Sequence, residues 1–335
     1  MTRVRLGIIG LGNVFDAHLR ALEQLPGFEV AAVCDVAAEK RERIAAKLGA
    51  SPFATYDELL RSAPDVVVVN TPHGLHCEMT VAALEAGCHV LVEKPMAVSV
   101  DECRAMLAAA KAHGRELIVA ELAGHTPGAV RTGEKFAAGE LGRFLTGGIM
   151  NARFYFNEGR PAWFLDPAMS GGGMFSNVGL HRLAAARASL PGLTPVAVSG
   201  SVSHQPEWDV EACAAVYVRY AEGGAMLYEE VGYYPCPEWL NAGVHFVFAE
   251  GIVSWDEQHW RMMRRDGREV VEDLPADPGY RPIYENVLRA VRGERRGPAA
   301  RGYAEDTVIV HAAYASAQVG REIDLRTPSW SLNAI

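Results

Sequence analysis

Residues 4–14, with the sequence VRLGIIGLGNV, decide the fold of this 335-residue chain. Val4–Ile9 is an apolar run of strand length, and Gly10 and Gly12 stand between it and a segment of helical pattern. Glycines at such a turn let backbone N–H groups approach a pyrophosphate at the helix N-terminus. The sequence therefore predicts a dinucleotide site. Its predicted phosphate-binding turn consists of Gly10, Leu11, Gly12, Asn13 and Val14.

An acidic residue stands where the ribose of a dinucleotide is bound in such folds. Asp35 follows the apolar run Val30–Val33, about 20 residues beyond the glycines. A carboxylate there binds the ribose 2′-hydroxyl and repels a 2′-phosphate, so we predict NAD as the cofactor, with NADP disfavoured. The alternative makes Asp35 a helix cap and the glycines an ordinary turn. Phe15 occupies the place of the third glycine in the G-x-G-x-x-G pattern.

The first 120 residues alternate short apolar runs with helical patterns. Val66–Val69 is apolar on both faces, as in a parallel strand covered by helices on both sides. Thr55–Glu58 and Ser99–Glu102 match the capping box that begins a helix. Repeated strand–helix–strand units predict an α/β fold, a doubly wound parallel Rossmann sheet, over residues 1–121. The predicted strands are Val4–Ile9, Val30–Val33, Val66–Val69, Val90–Val92 and Leu117–Ala120.

The pattern changes after residue 121, where longer segments of alternating polarity begin. They predict an α+β domain over residues 122–335, with a large, mainly antiparallel, open-faced sheet. Glu222–Gly224 predicts a hairpin turn, and Thr126 caps a helix that opens at Pro127. The last helix, roughly Tyr303–Gly320, can pack back on the first domain. The predicted strands are Leu145–Phe156, Val196–His204, Glu211–Tyr220, Ala225–Val231 and Val244–Phe248.

Charge and composition exclude several classes of partner. A formal net charge of −9 argues against nucleic acid or an anionic membrane as the main partner. The chain has no long apolar stretch that could span a bilayer, and we expect a cytoplasmic protein with reduced thiols. His204, His245 and His259 lack the spacing of metal ligands, so no metal site is predicted. The dispersed cysteines are Cys34, Cys77, Cys88, Cys103, Cys213 and Cys236.

Polar motifs follow two of the predicted strands of the first domain. Glu93-Lys94-Pro95 comes directly after Val90–Val92, and Thr71-Pro72-His73 with His76 comes after Val66–Val69. Ligands of open parallel sheets bind at this carboxyl edge. An isolated lysine is more often a solvated surface charge, but Lys94 leaves a buried strand between an acid and a proline.

Together these motifs resemble those of the Gfo/Idh/MocA oxidoreductase family. The resemblance covers nearly the whole chain. It includes His18, the segment Gly171-Gly172-Gly173 through Asn177 to His181, and the C-terminal run 313–317. The resemblance implies cofactor contacts from Gly10, Gly12, Asn13, Val14, Asp35, Thr71, Pro72, His73, His76, Glu93 and Lys94.

The resemblance also implies catalytic roles. Lys94 polarises the reacting oxygen or moves its proton, and His181 is the general acid/base. Asn177 lies one helical turn before His181 and orients the substrate, because an amide cannot take the proton that the family's common aspartate could. Ala184 likewise replaces a common aspartate, and Glu121–His125 is an unusual version of the segment after the last Rossmann strand.

These observations predict a nicotinamide-dependent dehydrogenase acting on a secondary alcohol or ketone of a small polyol, cyclitol or sugar. The resemblance implies a homodimer or homotetramer, with residues 122–335 as the domain for substrate binding and oligomerisation. One alternative is an enzyme that retains NAD for an internal redox cycle, as in some glycosidases and sugar–sugar oxidoreductases. Another is a nucleotide-binding sensor without catalysis, which would need neither Lys94 nor His181. Trp163 and Tyr280 could line the sugar pocket, but packing is the more common role of such aromatic residues.

Overall fold

The computed structural model describes residues 3–157, 159–232, 243–294 and 300–332. The chain divides into two compact units. Of the described residues, the first comprises those within 3–121 and 279–305, and the second those within 122–278 and 306–332. Cys236, one of the cysteines noted above, lies outside the described residues.

The first half of the chain forms a parallel six-stranded sheet with helices between its strands, which confirms the predicted Rossmann fold. The strand order is β3-β2-β1-β4-β5-β6, so the chain reverses direction across the sheet between β1 and β4. Its strands are β1 Val4–Ile9, β2 Phe28–Cys34, β3 Ser51–Phe53, β4 Val66–Val69, β5 His89–Glu93 and β6 Leu117–Ala120. Its helices are α1 Phe15–Glu23, α2 Ala38–Leu48, α3 Tyr56–Arg61, α4 His76–Glu85 and α5 Val100–His113.

The local sequence patterns of this half agree with the structure to different degrees. At Thr55 both hydrogen bonds of the capping box are present. At the second site the Ser99 hydroxyl accepts from the Glu102 N–H at 3.2 Å, and the Glu102 carboxylate accepts from the Val98 N–H at 3.0 Å. The strand β3 was not predicted, because three residues at the sheet edge that include Pro52 carry no periodicity. Phe15 is 1% exposed, so the residue in place of the third glycine fills the core.

The second unit contains a nine-stranded sheet of order β14-β13-β12-β11-β7-β10-β9-β8-β15. Its pairings are antiparallel except that β10 runs parallel to β7, so the prediction of a mainly antiparallel sheet is confirmed. From residue 122 onward the helices are α6 Pro127–Ala137, α7 Pro167–Ser170, α8 Leu180–Ser189, α9 Arg281–Val291 and α10 Arg301–Val319. The strands are β7 Phe144–Ala152, β8 Pro195–His204, β9 Glu211–Tyr220, β10 Ala225–Val231, β11 Gly243–Phe248, β12 Gly251–Trp255, β13 His259–Arg264, β14 Glu269–Asp273 and β15 Ile323–Asp324.

The two faces of this sheet differ in burial. One face packs against helices and includes the buried side chains of Val216, Tyr228 and Phe246. The other face exposes apolar side chains in two groups, one on β9 and β10 and one on β12, β13 and β14, with β7 and β11 between them. These residues, named here the open face, are Tyr217, Leu227, Ile252, Met263 and Val271. The sheet is therefore open on one side, as predicted.

Two sequence-based assignments in this unit were wrong. Thr126 does not cap α6 through its side chain, because its hydroxyl donates to the Ala123 carbonyl at 2.9 Å. The strands β12–β14 were not predicted. The alternation in β13 and β14 is masked by charged residues, since both strands lie near the sheet edge.

The position of α9 differs from the sequence-based domain division. That division placed all of residues 122–335 in the second domain. Gly279–Glu305 groups with the first unit. The reason is packing: α9 buries Ile283, Tyr284 and Val287 along one stripe, and the Tyr284 ring meets Phe28 of β2 edge-on. No helix of the described residues is both long and apolar enough to cross a membrane.

Candidate active site

The predicted phosphate-binding turn lies at the carboxyl end of β1. Gly10 has φ +89°, and a Cβ there would lie 2.7 Å from the Asn70 carbonyl oxygen, so only glycine fits. A Cβ at Gly12 would meet no protein atom within 4 Å. The space above Gly12 is therefore open to a group that approaches the backbone, and Asn13 and Val14 lead from it into α1. This geometry suits a pyrophosphate.

Asp35 is tied to that turn by its carboxylate. Its Oδ2 accepts from Leu11 N–H and its Oδ1 from Ala37 N–H, both at 2.8 Å. Asp35 thus has a structural role like the one the alternative interpretation gave it, although it does not cap α2 directly. Each carboxylate oxygen can accept more than one hydrogen bond, so this structural role leaves acceptor capacity for a ribose hydroxyl.

His76 links the loops that follow β4 and β5. The ring is fully buried, with Nδ1 2.8 Å from the Pro95 carbonyl oxygen and Nε2 2.9 Å from that of Thr71. Burial lowers the pKa of His76, so the ring is neutral and only one of these contacts is a hydrogen bond. Thr71 and Pro72 form the turn, and His73 is buried at the start of the short 3₁₀ helix His73–Leu75.

Glu93, the last residue of β5, is the centre of a buried hydrogen-bond network. Its Oε1 accepts from the Tyr280 hydroxyl at 2.6 Å and lies 3.0 Å from His18 Nε2, and its Oε2 accepts from Lys94 N–H at 3.0 Å. His18 Nδ1 contacts the Tyr284 hydroxyl at 2.8 Å. Burial opposes ionisation, but the hydrogen bonds and the nearby positive charge outweigh it, so the pKa of Glu93 lies below 4.5.

The network fixes the backbone at Lys94, which leaves the sheet at its carboxyl edge before the cis peptide bond to Pro95. Tyr280, considered above as a pocket or packing residue, is a hydrogen-bond donor to Glu93, and its ring lies 4.2 Å from that of His18. Sequence reasoning missed this role, as well as that of Tyr284. No local signal shows that α9 returns to the first unit.

The other predicted catalytic residues lie in the second unit. Asn177 is buried within a π-helix, Phe175–Gly179, and His181 is half-buried in α8, which continues from it. The π-turn widens the helix between them, a feature frequent at functional sites and one that a pattern of 3.6 residues does not reveal. Ala184, on the next turn, is completely buried, and Trp163 stacks on Phe164 with 3.9 Å between ring centroids.

A polar cluster that the sequence did not predict lies beside His181. The Arg182 guanidinium donates to Asn151 Oδ1 at 3.0 Å, and the Asn151 amide donates to Glu230 Oε2 at 2.6 Å. Burial raises the pKa of Glu230 to about 7, against the effects of Asn151 and Arg182. Asn151, Arg153 and Arg182 line a cavity of about 1040 Å³ within the second unit. Among the described residues no three His, Cys, Asp or Glu side chains form a metal site.

Comparison with protein families matches both halves of the chain. Residues 4–121 match the GFO/IDH/MocA oxidoreductase family with an NAD-binding Rossmann fold, and residues 131–234 match the GFO/IDH/MocA C-terminal domain. The predicted NAD-binding Rossmann domain is therefore confirmed.

Individual relatives include a D-glucoside 3-dehydrogenase from Escherichia coli, 33% identical over 55% of this chain and 53% of the relative. An inositol 2-dehydrogenase from Saccharopolyspora erythraea is 35% identical over 34% of the chain and 35% of the relative. The chain thus spans about half or less of these relatives. The structure of a levoglucosan dehydrogenase with NADH and levoglucosan has a TM-score of 0.85 at 19% identity, over 97% of this chain and 100% of that one. This last likeness shows the fold alone.

Proposed function

The chain belongs to the GFO/IDH/MocA oxidoreductase family, and from this we propose that it is an NAD-dependent dehydrogenase of a small polyol, cyclitol or sugar. The reaction is the reversible oxidation of a secondary alcohol to a ketone. The names of relatives that act on a glucoside and an inositol support this substrate class.

The observation that carries the proposal is the fixed position of Lys94. A buried carboxylate with three hydrogen-bonding partners holds the backbone at the carboxyl end of β5, in the sheet whose β1 turn suits a dinucleotide. A lysine that only needed solvent exposure would not require such a setting. Ligands of open parallel sheets bind at this edge.

The cofactor residues have separate tasks. Gly10 and Gly12 form the turn that leaves room for a pyrophosphate, and Asp35 accepts a ribose hydroxyl and disfavours a 2′-phosphate. Thr71, Pro72, His73 and His76 form the edge next to β4. NAD, when bound, supplies the acceptor for the hydride.

The proton chemistry belongs to the protein. Lys94 donates a hydrogen bond to the substrate oxygen and stabilises negative charge on it as the hydroxyl proton leaves. His181 accepts that proton, and in the reverse direction it returns it. Asn177 orients the substrate hydroxyls through its amide. The carbon loses a hydride and the oxygen a proton, so the alcohol becomes a ketone.

We further propose that copies of the chain associate through the open face. Tyr217, Leu227, Ile252, Met263 and Val271 are 44–51% exposed, in one group on β9 and β10 and another on β12, β13 and β14. Apolar side chains that are exposed together on one surface mark protein–protein contacts. This association accounts for the homodimer or homotetramer that the family resemblance implies.

The proposal is tested by NADH absorbance after purified protein is mixed with NAD and with inositols, glucosides, 1,5-anhydro sugars or sugar acids. We expect NADH formation with at least one compound. Lys94→Ala and His181→Ala should each lower kcat/KM by about 10²- to 10⁴-fold. Lys111→Ala and His204→Ala, at exposed positions outside the site, are the matched controls.

Other outcomes distinguish the alternatives. Substrate conversion without net NADH, with NAD still bound, would indicate an internal redox cycle. Full retention of every measured function in Lys94→Ala would indicate a sensor.

A further inference from the structure

Glu211 is a buried carboxylate of the second unit that the reaction described above does not use. It is the first residue of β9 and is 2% exposed. Three donors surround it: Gly173 N–H, Phe175 N–H at 2.8 Å and the Tyr314 hydroxyl at 2.8 Å. The two backbone donors belong to the glycine-rich turn and to the first residue of the π-helix that carries Asn177.

The glycine-rich turn is pressed against β9. A Cβ at Gly173 would lie 1.9 Å from the Glu211 carbonyl oxygen, and a Cβ at Gly172 would lie 2.3 Å from the Tyr314 hydroxyl oxygen. Both the backbone and the side chain of Glu211 therefore determine where this turn lies. The first N–H groups of a helix have no partner within it, and burying them unpaired is costly.

The chemistry of the three partners requires a carboxylate. All three donate, and an ionised carboxylate is an acceptor only, so it can satisfy every one of them. A carboxamide of the same shape would direct its NH₂ group at one of the backbone N–H groups. Burial raises the pKa of Glu211 and the three hydrogen bonds oppose that shift, so these contacts favour the charged form against the surrounding protein.

We propose that Glu211 is the positioning residue for the helix that carries Asn177 and His181. Its carboxylate fixes the helix start, and the π-turn and α8 continue from that start without a break. Tyr314 of α10 holds the carboxylate from the other side. Glu211 is buried, and its carboxylate is engaged by these donors, so it acts through the placement of His181 and its effect on turnover rests on the proposed function.

The first test is hydrogen exchange of the backbone amides of residues 173–181 in the full chain, which requires no turnover. In Glu211→Gln we expect exchange in this segment to be at least tenfold faster than in the wild type, with β1 and β4 of the first unit unchanged. Tyr314→Phe keeps the carboxylate and should accelerate exchange by less than threefold. Unchanged exchange of residues 173–181 in Glu211→Gln would overturn the proposal.

The second test couples Glu211 to His181. Glu211→Gln should lower kcat at least tenfold with the NADH Kd within twofold, because a displaced acid/base weakens the chemical step while the residues proposed to bind the dinucleotide are unchanged. In a His181→Ala background the same change should lower kcat less than twofold further. A purely structural role predicts equal losses in both backgrounds, and that result would overturn the proposal.

The two tests separate this inference from the proposed function. If the wild type converts no substrate, the proposed function fails, while exchange still shows whether Glu211 holds the turn. If Glu211→Gln does not fold, Glu211→Asp, which retains the charge but shortens the reach, replaces it in both measurements. Wild-type kcat and exchange in Glu211→Asp would contradict the proposal.

Discussion

The Glu93 carboxylate shows how single residues fix the candidate site. It is buried, yet its hydrogen bonds to Tyr280 and Lys94 N–H and its contact with His18 keep its pKa below the ordinary value. The residue before a proposed catalytic lysine is therefore held as a charged acceptor. Two of its partners, His18 and Tyr280, come from distant parts of the sequence, and the third is the neighbouring residue.

Removing a tyrosine hydroxyl from this network should lower the free energy of unfolding more when the hydroxyl's hydrogen-bond partner is charged than when it is neutral. Tyr280→Phe deletes a hydrogen bond to an ionised carboxylate and should lower the free energy of unfolding by about 1.5–3 kcal/mol. Tyr284→Phe, the matched control, deletes a bond to a histidine ring and should cost about 0.5–1.5 kcal/mol. Urea denaturation at pH 7 compares the two. Equal costs would contradict a charged Glu93.

The difference in unfolding free energy between wild type and Tyr280→Phe should depend on pH with a definite sign. The folded pKa of Glu93 is lower than its ordinary value of 4.5, so the network stabilises the fold fully above that value. The stabilisation is lost as pH falls through the folded pKa. The stability gap between wild type and Tyr280→Phe should therefore be constant near neutral pH and shrink in acid below pH 4.5. A gap that grows on acidification would exclude this assignment.

Asp35 should decide the choice between the two nicotinamide dinucleotides. Asp35→Asn removes the charge but keeps one oxygen for the Leu11 or the Ala37 N–H. Without repulsion of the 2′-phosphate, the preference for NADH over NADPH should fall by roughly 10- to 100-fold, since charges at close range interact by a few kcal/mol. Dinucleotide fluorescence gives both Kd values. An unchanged ratio would mean that Asp35 serves only the turn.

At the scale of elements, substitutions in the turn between β1 and α1 should affect NADH affinity and folding stability separately. Gly12→Ala places a methyl group where no protein atom lies within 4 Å, so unfolding free energy should change by less than about 0.5 kcal/mol. The NADH Kd should nevertheless rise at least tenfold, because the methyl group occupies the approach to the backbone.

Gly10→Ala is the matched comparison for Gly12→Ala. It should destabilise the first unit as well, by about 1–2 kcal/mol for the positive φ and more for the contact with Asn70. Calorimetry and NADH titration of both variants check the pair. Tight NADH binding by Gly12→Ala would exclude a pyrophosphate at this turn.

The elements also show what sequence can predict. Val4–Ile9 and Val66–Val69 were predicted with correct bounds, because buried parallel strands are mostly apolar, apart from the exposed Arg5, and end at glycine or polar residues. The π-turn at Asn177 was not predicted, since a pattern of 3.6 residues per turn does not reveal it. The short strand β3 has no pattern of its own.

At the scale of the whole molecule, the sequence could not show that a late segment of the chain packs on the first unit. The motifs at Gly10, Thr71 and Lys94 were placed at one sheet edge because each follows a strand expected to be parallel, and β1, β4 and β5 are parallel neighbours. Tyr280 and Tyr284 complete the network from a segment nearly 200 residues further along the chain. The sequence analysis did not predict α9, and no local pattern shows on which unit a helix packs.

The open face should govern assembly. Light scattering should give a mass that is two or four times the chain mass of 36.3 kDa. Leu227→Lys places a charge at the middle of the face, where desolvation is costly, and should shift the protein towards the monomer mass. Val36→Lys, at a 95% exposed apolar residue of the first unit, is the control and should leave the mass unchanged. A monomeric wild type would contradict association through this face.

The central claim is hydride transfer from substrate carbon to nicotinamide, and isotope transfer tests it most directly. A responding polyol or sugar, deuterated at its oxidised carbon, is mixed with excess enzyme and NAD, and the nucleotide is recovered for mass spectrometry. The account predicts one deuterium in the reduced nucleotide, with its formation abolished in Lys94→Ala. Reduced nucleotide without deuterium, or label transfer undiminished in Lys94→Ala, would contradict it.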